Sequence, residues 1–321
     1  MNTLKRSIAL LGFFLFSIIV TAQTVEDAGL KYNEANTAFQ NKQYANAITL
    51  YKDALSMAEA AGPDADQLKG NIQTQLVNAF YKNGIALYKQ KKYDESVKSL
   101  REGQSLAKSV GNNSMASKIE GIIPKIYSSK GLSLVKQKKL DDALAAFQEA
   151  RTVNPKCVIS FYGESIAYKD MGDMEKMKAS VEKAIEYGSE NPKMKKYADK
   201  AKTVAAKALL SEATKELQKE HSATAVKYFN DSFKYKPGDA EAYFYLAIAY
   251  NKLKKYDDAI TAANKAIEMK QNDKSDIYFQ LGLAYEGKGN TAKACSSFKK
   301  VTSGDNVEAA KYEMTQKLKC S

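Results

Sequence analysis

The 321-residue chain has five prolines, 17 glycines and no tryptophan, and it is written largely in helix-forming residues with a formal charge of +12. That charge does not mark a nucleic-acid binder: beyond residue 22 only two arginines occur, Arg101 and Arg151, and arginine is the usual bidentate reader of phosphate and guanine. Three cysteines without a CxxC pair and a single histidine, His221, supply no set of zinc or haem ligands, so no cofactor is expected.

The first element in the chain is a leader. "MNTLKR" carries two positive charges, "SIALLGFFLFSIIV" (Ser7–Val20) is an apolar run of 14 residues, and "TAQ" follows with small residues at Val20 and Ala22. This pattern predicts a secretory signal peptide over 1–22, because the run is shorter than the ~20 residues a membrane-spanning helix needs. No cysteine follows it to take a lipid, and no later stretch is apolar enough to cross a bilayer. The mature chain is therefore expected to be exported, without an integral membrane segment.

From residue 28 onward the chain repeats itself. The string "KKYDDAI" (Lys254–Ile260) has close copies at Lys91–Val97 and Lys138–Leu144, and a looser one at Lys42–Ile48. Around these strings a longer template runs through seven copies. Its first small position is Ala35, Gly84, Gly131, Ser165, Ala213, Ala247 and Gly282. Twelve residues later stands Ala47, Ser96, Ala143, Met177, Ala225, Ala259 or Ala294, and four further on Tyr51, Leu100, Phe147, Val181, Phe229, Ala263 or Phe298. Apolar residues recur at helical spacing on both sides of a polar or glycine-containing break, so each unit predicts two antiparallel helices and a tight turn. The small residues admit the opposing backbone, and the large residue one turn on fills the gap beside it. In "KKYDDAI" the lysines are expected to end one helix, Tyr256 to fill the turn and the aspartates to start the next helix, where carboxylates suit its positive end.

The strings "YFYLAIAYNKLKKYDDAITAANKAI" and "YFQLGLAYEGKGNTAKACSSFKKV", with Pro155 and Pro237 closing their units, resemble the tetratricopeptide repeat. The resemblance covers about residues 28–303. It implies an all-α fold, a tetratricopeptide-repeat solenoid in which about seven hairpins form a right-handed superhelix. The hairpins are expected at about 28–61, 65–110, 114–157, 158–191, 193–239, 240–273 and 275–304. The segment 305–321 reads as a capping helix with a polar outer face, which the last repeat of a solenoid needs. Successive units are spaced by 49, 47, 34, 48, 34 and 35 residues. The longer spacings predict lengthened first helices in units 2, 3 and 5, with Asp64 as an N-cap and Pro124 kinking or interrupting the helix in which it falls.

The resemblance further implies a partner groove lined by first helices, at the fifth and ninth positions of each unit. The fifth is Tyr32, Tyr81, Ser128, Tyr162, Leu210, Phe244 and Phe279; the ninth includes Asn36, Ile85, Thr214, Ile248 and Leu283. Tyr32, Asn36, Tyr81, Tyr162, Phe244 and Phe279 are the candidate groove residues. The family's carboxylate clamp, lysine at the fifth position and asparagine at the ninth, is missing, since only Asn36 fits it. An aromatic groove would favour an apolar or aromatic segment, while the same rings could equally be core between repeats.

Cys295 and Cys320 form a candidate disulfide, although helical register separates them by about 9 Å, so the tail must fold back for the sulfurs to meet. Cys157 is expected to be free. No glycine-rich phosphate loop, GxSxG or HExxH occurs, and the acidic pairs Asp141–Asp142 and Asp257–Asp258 are explained by helix starts. The function this supports is a non-enzymatic protein–protein interaction scaffold or adaptor in a bacterial cell envelope, its partners other proteins or peptides. The leader and its junction are similar to those of exported proteins of Gram-negative Bacteroidota, which points to a periplasmic or outer-membrane-associated location. The alternatives are weak lysine-mediated affinity for anionic lipid or polysaccharide, and an accessory part of a secretion or motility apparatus.

Overall fold

The computed structural model describes residues 24–320, and every regular element in that range is helical. The leader predicted over 1–22 lies outside the described residues. The chain divides into two compact units between Ser160 and Phe161. The first unit contains α1 (24–40), α2 (Tyr44–Ala60), α3 (Asp66–Lys89), α4 (Tyr93–Ser109), α5 (Asn113–Glu120), α6 (Ile123–Lys136) and α7 (Leu140–Val153). Helix α8 (Val158–Met171) starts in its last residues. The second unit continues with α9 (Met174–Glu190), α10 (Lys195–Gln218), α11 (Ser222–Tyr235), α12 (Ala240–Lys252), α13 (Tyr256–Met269), α14 (Ser275–Gly287), α15 (Thr291–Phe298) and α16 (Val307–Tyr312).

Steric fit holds each hairpin together. A Cβ built on Gly84, Gly131 or Gly282 would meet Leu100 at 2.5 Å, Phe147 at 2.4 Å or Phe298 at 2.4 Å, far inside van der Waals contact. The glycine and its large partner are the two ends of one template, sixteen residues apart. Leu100, Phe147, Phe229, Phe298 and Tyr51 are almost wholly buried, so the large side chain of one helix occupies the space that the small residue of the other leaves. Around these pairs the cores are rich in alanine, with Ala35, Ala47 and Ala54 in the first unit and Ala213, Ala225 and Ala247 in the second.

The corners share one backbone conformation. Lys42, Lys91, Lys138, Gly172, Glu220, Lys254 and Gly289 all have positive φ, between 58° and 81°, and each stands seven residues after the first small position. At the fourth string, Lys254 N–H donates to the Asn251 carbonyl and Lys255 N–H to the Tyr250 carbonyl, both at 2.9 Å. The same two bonds recur at all seven corners. They are the paired 5→2 and 6→1 bonds that close a helix through a left-handed residue. The first lysine of "KKYDDAI" is therefore that left-handed residue and the second is the N-cap of α13, whereas Tyr256 opens α13 rather than filling the turn.

Two lengthened first helices are present: α3 and α10 each run 24 residues. The third is cut in two at Gly121–Ile122, because Pro124 has no N–H to give and is accommodated in the first turn of α6. Asp64 does not cap α3. It sits in a tight turn over Gly62–Ala65, entered through Gly62 at φ +79° and running straight into α3, whose N-cap is Ala65. The end piece is shorter than a single helix over 305–321 would be: α16 has six residues and continues as a wider turn at Glu313–Lys317. It still covers apolar surface, since Val307, Ala310, Met314 and Leu318 pack with Phe279, Leu283, Phe298 and Val301. No helix among the described residues is long and apolar enough to cross a membrane.

Candidate functional site

Apart from Ser128, the fifth-position side chains are neither free nor fully interior. In the first unit Tyr32 is half-buried, with its ring 5.9 Å from that of Tyr51. The buried Tyr51 hydroxyl donates to Asn36 Oδ1 at 2.6 Å, and burial followed by the Tyr32 charge pushes the Tyr51 phenol up to about 12. Asn36 thus holds Tyr51 in place. Tyr81 is half-buried, with the Lys118 ammonium 4.5 Å from its ring centroid. Ser128 is buried, donates to the Pro124 carbonyl at 2.8 Å and touches Cys157 Sγ at 3.4 Å, so it belongs to the interior.

In the second unit Tyr162 leans on Tyr197 at 5.9 Å, and burial and that neighbour raise its phenol above the ordinary value. Phe279 leans on Phe298 at 5.8 Å and lies in the cluster covered by Met314 and Leu318. Phe244 is half-buried beside Tyr245, centroids 5.4 Å apart. Of the ninth positions, Ile248 and Leu283 pack into core clusters, and Thr214 faces a pocket.

Two pockets lie along α10, α12 and α14. One, of about 300 Å³, is walled by Phe244, Tyr245 and Ile277 with Glu241, Lys270 and Asp276. The other, of about 240 Å³, is walled by Leu210, Thr214, Phe229 and Tyr245 with Asp239 and Glu241. They share Glu241 and Tyr245, so one continuous strip runs across the first helices of three consecutive hairpins. Burial, then the Glu241 charge, raises the Tyr245 phenol above its ordinary value. Of the sequence candidates only Phe244 lines this strip; Leu210 and Thr214, also at repeat positions five and nine, join it. Reading positions five and nine alone missed Glu241 and Asp276. Both stand three residues before a fifth-position phenylalanine, hence on the same helix face one turn earlier.

Cys295 and Cys320 are joined in a disulfide with Cα atoms 5.8 Å apart. The tail does fold back: the wide turn at Glu313–Lys317 ends with Leu318 N–H on the Glu313 carbonyl and Cys320 N–H on the Met314 carbonyl. Lys319, at φ +49°, reverses the chain between them. Cys157 is buried and outside any disulfide. His221 is an exposed corner residue, 2.8 Å from a Glu216 carboxylate oxygen. Asp257 at the start of α13 pairs with Lys288. Among the described residues no three His, Cys, Asp or Glu side chains come together as metal ligands would.

A family model described as tetratricopeptide repeat matches residues 210–276, and a second of the same description matches 28–60, 160–188 and 275–305. No curated protein matches the chain. Among solved structures it is similar to YrrB, described as a TPR protein with an unusual peptide-binding site: 20% identity, 55% of this chain and 83% of that one, TM-score 0.34. It is also similar to a tetratricopeptide repeat protein of Parabacteroides merdae, at 16% identity over 91% and 98% of the two chains, TM-score 0.28. The TPR2AB domain of yeast Sti1 in complex with pHSP90 is 18% identical over 92% and 96%, TM-score 0.35. Likenesses of this size carry nothing about binding to the present chain. The chain carries tetratricopeptide repeats in the matched segments, and with the seven equivalent corners and the uniformly helical elements of the described residues its fold is all-α and of the tetratricopeptide-repeat type.

Proposed function

We propose that this protein is a non-enzymatic scaffold or adaptor of a Gram-negative cell envelope, exported and periplasmic or associated with the outer membrane. It would hold segments of partner proteins in grooves made by first helices. Tetratricopeptide-repeat proteins generally mediate protein–protein interactions. The observation that carries the finer reading is the strip of two adjoining pockets on α10, α12 and α14, where half-buried Phe244 and Tyr245 present ring surface beside open volume. Partly exposed aromatic anchors beside a pocket are the residues that carry most interface energy. The leader pattern supports export, and the Cys295–Cys320 bond agrees with an oxidising compartment.

The test is quantitative capture of partners from the native envelope with the wild-type chain and with Phe244→Ala and Tyr245→Ala variants, each checked for unchanged circular dichroism. Partners lost on a folded variant support the groove; equal recovery refutes it. Repeating the capture at high salt separates the charge-driven alternative, because binding through the lysine-rich surface would collapse with screening whereas groove binding would persist.

A further inference from the structure

The groove reading says where a segment docks; its polar lining says what kind of segment. Across the two pockets three carboxylates, Asp239, Glu241 and Asp276, face one ammonium, Lys270. In a chain with 49 basic side chains against 37 acidic ones, that strip reverses the sign of the surface around it. Among the described residues none of the three carboxylates pairs with a lysine or arginine. Asp239 accepts from the Ala242 N–H at 2.9 Å and Asp276 from the Asn306 side-chain amide at 2.9 Å, while Glu241 lines both pockets beside Tyr245. Asp239 and Asp276 are therefore held in place by neutral donors, and no salt bridge ties up any of the three.

The positive end of α12 would otherwise draw an anion into this strip, since Ala240, Glu241 and Ala242 line it. Asp239 already caps that end, and Glu241 stands in its first turn. A terminal carboxylate or an acidic side chain entering here would meet net negative charge. A cationic side chain would gain charge-assisted hydrogen bonds and could lie beside the half-buried rings of Phe244 and Tyr245.

We propose, resting on the groove reading above, that this strip binds an extended partner segment by seating a lysine or arginine in the pocket lined by Glu241 and Asp276, with a neighbouring aromatic side chain against Phe244. The preference is for a cationic-aromatic sequence and against an acidic one.

The test uses the full exported chain and three fluorescein-labelled, end-blocked peptides: Gly-Phe-Lys-Gly-Phe-Lys-Gly and its counterparts with glutamate or alanine for lysine. In anisotropy titrations at low salt the lysine peptide is expected to bind about tenfold more tightly than the glutamate peptide. Glu241→Gln and Asp276→Asn should each weaken the lysine peptide by about threefold to fivefold, and Glu241→Lys should reverse the order of the two charged peptides. Glu241 is exposed, so these variants keep the fold, which circular dichroism verifies. An order that favours the glutamate peptide, or one that Glu241→Lys leaves unchanged, overturns the charge preference. If Phe244→Ala then weakens all three peptides alike, the groove itself stands. Binding indifferent to Phe244→Ala, or no binding of any of the three peptides, overturns both readings.

Discussion

At the seven hairpin corners the backbone is constant while the residue in the left-handed position changes from lysine to glutamate to glycine. On the first helices α10, α12 and α14 the backbone is again constant, but there the side chains decide what each surface can touch. The corner bonds are made by main-chain groups, so almost any side chain can occupy the position and project outward. The pockets are made by side chains, so exchanging Glu241 for lysine changes the charge of the lining while leaving the helix in place. Repetition in this chain therefore marks architecture, and the proposed selectivity rests on residues outside the repeat.

The sharpest way to break that division is to strike the repeated contact itself. Phe147 is fully buried and fills the space left by Gly131. Phe147→Ala is expected to destabilise by about 3–5 kcal/mol, the range for emptying a phenylalanine site. Gly131→Ala should cost about 1–3 kcal/mol, despite alanine's better helix propensity, because the new methyl has no room. Adding Phe147→Leu to Gly131→Ala should recover part of that loss, as expected of touching residues. Urea unfolding followed by circular dichroism reads all three. A Gly131→Ala protein as stable as wild type would show that the close approach is not what sets the hairpin.

A second, smaller effect separates two unrepeated charges. Asp231 is largely buried, which alone would raise its pKa. Hydrogen bonds from Lys234 at 2.6 Å and Lys178 at 3.1 Å outweigh burial and hold it below the usual carboxylate range. A depressed folded pKa contributes stability above the unfolded value near 3.8 that is lost as pH falls through the folded one. Glu286 is the reverse: burial, then the adjacent Glu313 charge, pushes its carboxyl up, against the pull of Lys317 at 3.8 Å. A raised acid contributes most when protonated, and that contribution is lost as pH rises from the unfolded value near 4.5 through the folded one. Asp231→Asn should therefore lower the urea midpoint at neutral pH and have little effect well below pH 3.8. Glu286→Gln should raise the midpoint at neutral pH and be nearly silent in acid. Midpoints from pH 3 to 7 that move in the same direction for both variants would contradict these environments.

How much of this was legible beforehand depends on whether a residue acts through its size or through its surroundings. The pairs Gly84–Leu100, Gly131–Phe147 and Gly282–Phe298 are size rules at fixed spacing, and a single chain with seven copies displays them openly. Lys254 does close its helix, but its left-handed backbone is not legible in the sequence, because that conformation is usually signalled by glycine and only Gly172 and Gly289 carry that signal at the same position. Pro124 announced an interruption through its missing N–H. Asp64 resembled a cap, but Gly62 opens a turn that leaves no such role. Glu241 and Asp276 are first-turn carboxylates of α12 and α14, a common helix feature that by itself marks no site. That a pocket opens beside them depends on how three hairpins stack, and no local pattern encodes it.

The smallest expected effect tests the corners alone, and it distinguishes tolerated strain from useful chemistry. Five of the seven left-handed residues are not glycine: Lys42, Lys91, Lys138, Glu220 and Lys254. A side chain in that conformation costs about 1 kcal/mol through its Cβ, partly offset because glycine loses more freedom on folding. Lys254→Gly should thus leave stability unchanged or raise it by about 0.5 kcal/mol, while Gly289→Ala, at the equivalent corner, should lower it by about 1 kcal/mol. Neither should alter peptide binding, since neither residue lines the pockets on α10, α12 and α14. Opposite signs at two equivalent positions would show that the lysine is kept in spite of the backbone rather than because of it. If Lys254→Gly instead destabilises the chain by more than about 1 kcal/mol, the lysine side chain makes a contribution beyond the corner geometry, and "KKYDDAI" carries more than a turn.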